Sequence, residues 1–164
     1  WRHLHPQSEV LSLRTGHRRD YGEGVAYHDY FSTDELMFTV PKIDRRLKNK
    51  DEVLIVRTAN GSESLAISAR RLRTEPVFFE SVNDQPFVVI TDTSGANRVY
   101  DRGEIKFVEL INDDRVRSSD ERIWLITEDA LVETKTGEKR TRLPAHRAFW
   151  FGWQADHPDV RLVD

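Results

Sequence analysis

Between Val53 and Val132 short apolar runs alternate with turn residues at close spacing, and that rhythm limits the possible folds more than any other feature of the chain. Val53-Leu54-Ile55-Val56 is an unbroken apolar, β-branched run, the composition of a strand covered on both faces. Asn60-Gly61 is the strongest short hairpin signal a sequence can carry, and Ser64 to Ser68 returns from it. Ala69 to Thr74 has room for one helical turn. Val77 to Val82 and Phe87 to Thr91 read as strands joined at Asn83-Asp84, and Ser94-Gly95 turns the chain again before Arg98-Val99-Tyr100. Gly103 leads into Ile105 to Ile111, where strict alternation puts Ile105, Phe107 and Glu109 on one face and Val108 and Leu110 on the other. Asn112 to Arg115 is a turn, Ile123 to Ile126 and Ala130 to Val132 are further strands, and Lys135 to Lys139 joins the last of them to the final segment. The pattern predicts an α+β domain, mostly β: an antiparallel meander or small barrel with a C-terminal helix packed on it.

That helix is expected in the stretch LPAHRAFWFGWQADHP, residues 143–158. Pro144 lacks an N–H and suits the first turn of a helix. From Ala145 to Asp156 only Gly152 weakens helical propensity, by about 1 kcal/mol relative to alanine. Phe149, Trp150 and Trp153 then form one aromatic face, with His146 one turn before Trp150 on the same side.

The stretch has an echo at the other end of the chain. Residues 1–11 read WRHLHPQSEVL and residues 153–163 read WQADHPDVRLV. Each has a tryptophan, then His-Pro four and five residues later, then an apolar pair at nine and ten (Val10-Leu11 and Leu162-Val163). Duplication is the economical explanation. Residues 1–13 become the tail of a preceding repeat, with Trp1 to His5 its last helical turn, and 14–164 the main repeat of a single domain. Glu9 to Leu13 alternates enough for a short strand. Arg14 to Phe31 is polar, aperiodic and rich in Gly, Tyr and His, and at roughly 18 residues it exceeds ordinary connections. Its aromatics, Tyr21, Tyr27, Tyr30 and Phe31, argue for an ordered loop packed on the body. Leu36 to Val40 is a brief apolar run ended by Pro41, and Lys42 to Asp51 reads as a solvated charged stretch.

Composition narrows the function classes. The 164 residues suit one domain, and 25 basic residues scattered among 28 acidic ones, net charge -3, form no polyanion-binding stripe, so no nucleic acid is expected as a partner. No apolar run approaches the ~20 residues that a bilayer span needs. There is no cysteine, hence no disulfide, thiolate nucleophile or zinc-thiolate site. The first residue is tryptophan, which suggests a fragment or a processed form.

Several stretches together resemble the prokaryotic domain-of-unknown-function family three-one-seven-nine. TGHRRDYG at 15–22 is similar to its TG-x-x-RDYG segment. Phe31 to Val40 with Asp44-Arg45-Arg46-Leu47, Val82-Asn83-Asp84 with Pro86-Phe87-Val88-Val89, Tyr100-Asp101-Arg102, Trp124 and the ending from Leu143 to Trp153 follow the family in order. The resemblance implies two such repeats behind a secretion signal, and so a secreted, periplasmic or cell-envelope location. It implies no reaction, because the family's activity is not established. Many family repeats carry a Tyr-Cys-Pro-Leu-Cys-Gly segment where this chain has Thr91-Asp92-Thr93-Ser94-Gly95, so any chemistry of those cysteines is missing from this copy.

Candidate ligand-binding residues are His17, Arg19, Asp20, Tyr21, His146 and Trp150. Arginine offers a planar fork for carboxylate or phosphate, and Asp20 can orient it or accept a proton. The same residues can equally form an internal Arg–Asp–Tyr network that pins the loop. His146 reads either as a metal ligand or general base, or as an imidazole that bonds a loop carbonyl and fixes the helix start. His17 and His28, with Asp20 or Asp29, match no recognised ligand spacing. His5 and His157, each before proline, suit the closing of a helix C-terminus. Asp113, Asp114, Asp120 and Glu121 lack the glycine of a calcium loop and read as a solvated turn. No metal ligand set is assigned and the cofactor stays unknown. Three functional expectations remain: a non-catalytic binding or interaction domain acting through 14–31 beside the start of the 145–156 helix; a metal-dependent or His/Asp-based enzyme using His146 with that loop; and a degenerate repeat that packs on its twin. The expected partner is the preceding repeat or an unknown ligand.

Overall fold

A computed structural model describes residues 5–22, 24–57 and 63–164. The chain divides into two compact units, Trp1–Met37 and Phe38–Asp164, each taken by itself below.

The larger unit is built on three open sheets. The first has the order β11-β1-β2-β12, from β1 (Glu52–Arg57), β2 (Ser64–Ser68), β11 (Ala145–Phe149) and β12 (Arg161–Val163). Its pairs are antiparallel except β12, which runs parallel to β2 with Leu162 opposite Ala66 and Val163 opposite Ile67. Both faces are covered, which is why β1 is apolar without alternation. Val53, Ile55 and Ala66 pack with Ala148, Leu162 and Trp150, the first residue of α3 (Trp150–Asp156). Leu54, Val56, Leu65 and Ile67 pack the other way, against Leu72 of α2 (Ala69–Thr74) and against the second sheet.

That second sheet has the order β3-β4-β5, from β3 (Val77–Val82), β4 (Gln85–Thr91) and β5 (Asn97–Asp101). Period-two alternation divides β4 between two cores. Phe87 and Val89 face the first sheet, while Val88 and Ile90 join Tyr100, Phe107, Val116, Trp124 and Leu131 on the other side. The third sheet is a sequential meander, β10-β9-β8-β7-β6, made from β6 (Phe107–Asn112), β7 (Arg115–Ser118), β8 (Ile123–Ile126), β9 (Ala130–Glu133) and β10 (Lys139–Thr141). The predicted α+β, mostly β architecture holds, with open sheets in place of the alternative small barrel. The Asn83-Asp84 turn has both residues left-handed (φ 49° and 60°), the conformation a two-residue hairpin requires. The Asn60-Gly61 hairpin lies outside the described residues, as does the Trp1–Leu4 end of the expected helical turn.

Five local expectations are corrected. The 145–156 helix begins only at Trp150. Ala145–Phe149 is an edge strand registered on β1, Phe149 is extended (φ -76°, ψ 143°), and the N–H groups of Trp150 and Phe151 donate to the carbonyls of Asp51 and Asn49. Those sheet-side acceptors take the place of a helical turn, and tertiary pairing overrides propensity. Phe149 and His146 therefore leave the expected helical face. Glu9 to Leu13 forms no strand, and the aperiodic 14–31 stretch contains a short helix, α1 (His28–Ser32). In β6 the register shifts between Phe107 and Glu109 and again between Leu110 and Asn112. These irregularities break strict alternation, so Phe107 and Leu110 both reach the core. Lys42 to Asp51 is not wholly solvated, since Leu47 is buried beside Trp150.

Candidate functional site

In the smaller unit the RDYG stretch is organised by short-range hydrogen bonds. The Gly22 N–H donates to Asp20 Oδ1 at 2.8 Å, an Asx-type turn. A Cβ at Gly22 would sit 3.0 Å from that oxygen and 3.1 Å from a Val25 methyl, so any larger residue must push one of these side chains aside. The Thr15 hydroxyl donates to the Tyr21 phenol oxygen at 2.9 Å, and the His17 N–H donates to the Thr15 hydroxyl at 3.3 Å. His17, Arg19, Asp20 and Tyr21 are all exposed. Tyr21 is tied to Thr15 and Asp20 to the backbone of Gly22, and among the described residues no Arg–Asp–Tyr network joins them.

Downstream, Tyr27 is left-handed (φ 61°) and starts α1. Tyr27, Tyr30 and Phe31 meet edge to face, with ring centroids 6.4 and 5.3 Å apart. Tyr27 and Tyr30 border a cleft of about 580 Å³ lined also by Val25, His28, Asp29 and Met37. Tyr27, Phe31 and Met37 are 66%, 56% and 70% exposed. His28 Nδ1 lies 3.2 Å from Asp29 Oδ1 at the surface.

The other two candidates belong to the larger unit. His146 is exposed on edge strand β11, opposite Ile55, and its ring meets Trp153 edge-on at 5.3 Å. Trp150 is fully buried. Its indole N–H donates to the Asp44 carbonyl at 3.0 Å, and the Arg46 guanidinium lies 5.0 Å over its ring. Arg46 also pairs with Asp44 at 2.7 Å and donates to the Val160 carbonyl. The hydrogen bond from Arg46 holds the Asp44 carboxyl below the usual range. This clamp on α3 was missed at the sequence level, although its signal was in plain view as Asp44-x-Arg46. His157 ends α3: its ring stacks on Trp153 at 3.9 Å and 3°, and Nδ1 lies 3.2 Å from the Trp153 carbonyl, the helix-closing role expected of it. His157 also borders an open cleft of about 630 Å³ with Glu63, Asp84, Asp159 and Arg161, which the sequence did not single out.

The turn replacing the cysteine segment is self-sufficient. Asp92 Oδ1 accepts from the N–H groups of Ser94 and Ala96 and from the Ser94 hydroxyl, and Gly95 takes φ 85°. Burial alone would raise the Asp92 pKa, but the bonds from Ser94 and Arg98 outweigh it and lower it. Among the described residues no three His, Asp or Glu side chains come together as metal ligands.

A family model described as Protein of unknown function (DUF3179) matches residues 1–160. The chain belongs to this family. No curated protein and no solved structure matches it. In this DUF3179 chain several of the segments that carry the resemblance are scaffold: the VND stretch forms the β3–β4 turn, Tyr100 and Trp124 fill one core, and Asp44, Arg46 and Trp150 lock the last helix. The RDYG segment, in contrast, is exposed. Among the described residues no helix is long and apolar enough to cross a membrane.

Proposed function

We propose that this chain is a non-catalytic binding or interaction domain of a secreted or cell-envelope protein, and that it engages its partner through residues 14–31. The observation that carries this reading is the chemistry of that segment. Tyr21, Val25, Tyr27 and Phe31 are exposed, Val25 and Tyr27 line a cleft, and the exposed cation of Arg19 and anion of Asp20 immediately precede Tyr21 in the chain. Aromatic anchors flanked by charge are what interaction surfaces use. The secreted or envelope location rests on the resemblance set out above, and the partner is the preceding repeat or an unidentified ligand.

Arg19→Ala and Asp20→Ala test the assignment. The probe is the immobilised chain itself, used to capture partners from an envelope extract, with thermal melting run in parallel. Loss of a captured partner with a melting temperature within about 1 °C of the parent supports the surface, since exposed substitutions change stability little. A lowered melting temperature with capture unchanged overturns it.

A further inference from the structure

The echo of residues 153–163 in residues 1–11 takes on meaning once the second copy is seen folded. In that copy the tryptophan and histidine stack at the end of α3, the proline follows, Val160 is buried, and Arg161–Val163 form β12 on the edge of the first sheet. Leu162 packs on the α3 face and Val163 on the opposite face. An edge strand of a sheet covered on both sides needs two successive apolar side chains. The first copy supplies them as Val10-Leu11, yet these side chains are 83% and 96% exposed, and residues 9–13 pair with nothing as a strand.

We propose that residues 5–12 are the closing strand of a second, non-identical copy of this fold, lying parallel to that copy's equivalent of β2. Matching the two His-Pro pairs puts Ser8 at the place of Val160, Glu9 at Arg161, Val10 at Leu162, Leu11 at Val163 and Ser12 at Asp164. The apolar pair is kept and the positions on either side of it are changed. Arg161 donates to the Ser81 carbonyl at 2.7 Å and lies 3.3 Å from Glu80. A glutamate there would face Glu80 with like charge, which disfavours pairing. Asp164 pairs with Arg70 at 2.6 Å, which a serine cannot do, and Ser8 cannot fill the apolar place of Val160. The segment thus suits a copy with a cation where this chain has Glu80, and it is mismatched to the sheet of its own chain. This inference holds whether or not residues 14–31 bind a partner, because it concerns other residues and another surface.

The test frees an acceptor edge in the full chain. Leu162→Pro removes the Leu162 side chain from the core it shares with Trp150 and so weakens the seat of β12 beside β2, and Glu80→Arg then supplies the cation that Glu9 requires. Sedimentation velocity should show the Leu162→Pro/Glu80→Arg protein associating several-fold more tightly than Leu162→Pro alone, with the association lost on Val10→Asp/Leu11→Asp. A folded, monomeric Leu162→Pro/Glu80→Arg protein overturns the proposal, as does association that survives Val10→Asp/Leu11→Asp. If circular dichroism shows that Leu162→Pro does not fold, a second protein decides: the full chain with residues 159–164 replaced by QSEVLS, in the Glu80→Arg background. Amide exchange across Ser64–Ser68 as slow as in the parent supports the proposal, and exchange as fast as with a scrambled tail overturns it.

Discussion

Trp150→Phe is the substitution that best separates a core tryptophan from a ligand platform. The indole is fully buried between the first sheet and the 44–47 segment, with its N–H on the Asp44 carbonyl at 3.0 Å. Phenylalanine keeps most of the apolar contact and loses that bond. A partly buried carbonyl left without its donor costs about 1 kcal/mol. The indole exceeds a phenyl ring by roughly 40 Å³, and at about 24 cal/mol per Å³ of cavity that adds about 1 kcal/mol. The stacked Arg46 keeps a ring beneath it, so its contribution of ~0.5–1 kcal/mol is largely retained. The expected loss is about 2 kcal/mol, a large fraction of a typical domain's stability.

Urea unfolding followed by far-ultraviolet circular dichroism measures it, because Trp150 itself is altered and fluorescence would be ambiguous. The slope should stay constant while the midpoint falls. A Trp150→Leu/Arg46→Met cycle, in which the ring beneath Arg46 is removed, should show coupling beyond the ~0.3–0.5 kcal/mol expected of independent sites, since the two side chains touch. A loss below about 0.5 kcal/mol for Trp150→Phe, or effects that simply add, would refute the clamp and return Trp150 to the list of groups free to meet a ligand.

Three further outcomes follow from the same structure. Ser68 accepts the Arg71 N–H at 3.1 Å as the N-cap of α2, so Ser68→Ala should cost about 1 kcal/mol in the same unfolding assay, and no change would remove the cap. Tyr100 is buried, donates to the Thr127 carbonyl at 2.5 Å, and burial pushes its pKa up to about 12. A raised value means that its stabilisation is full below the ordinary tyrosine range near ~10 and is lost as pH rises through about 12; an absorbance titration of the folded protein that shows every tyrosine ionising near 10 would contradict this. At the acid end, hydrogen bonds from Arg46 to Asp44, from Arg98 to Glu128 and from Ser68 to Asp164 hold these carboxyls low, so their contribution is present above the ordinary carboxylate range and disappears as pH falls through the depressed values. Urea midpoints unchanged between pH 7 and pH 2.5 would exclude that linkage.

The middle of the chain was legible because its strands satisfy local rules. The unbroken Val53–Val56 run named a strand covered on both faces, and Asn83-Asp84 named a turn whose two left-handed residues are found. The six residues Ala69–Thr74 form the single short helix expected. What escaped was decided by partners distant in sequence. Ala145–Phe149 has helical composition, and only the register against Glu52–Val56 makes it a strand. The short β7, β10 and β12 carry too few apolar residues for periodicity to register, and each is defined by its neighbour. The alternation of β6 failed at irregularities in pairing, which have no single-strand signature.

The candidate site was legible in residue type and not in geometry, and the reason is physical. His146 was placed beside Trp150 because a helix would put them on one face; as a strand residue it sits instead opposite Ile55 and touches Trp153. A change of backbone period thus reassigned its neighbour without changing a residue. For residues 14–31 the difficulty is of another kind. Their local bonds, Asp20 to Gly22 and Thr15 to Tyr21, fix turns but bury nothing, so the apolar side chains of Tyr27 and Phe31 stay exposed. Exposed aromatic groups lower the free energy only when a second surface covers them. On the proposal made above the same holds for Val10 and Leu11, since Leu162 and Val163, at the matching places of the echo, lie in the edge strand of a sheet covered on both faces. The sequence can carry such a strand, but only the copy seen folded shows where a strand of that pattern belongs.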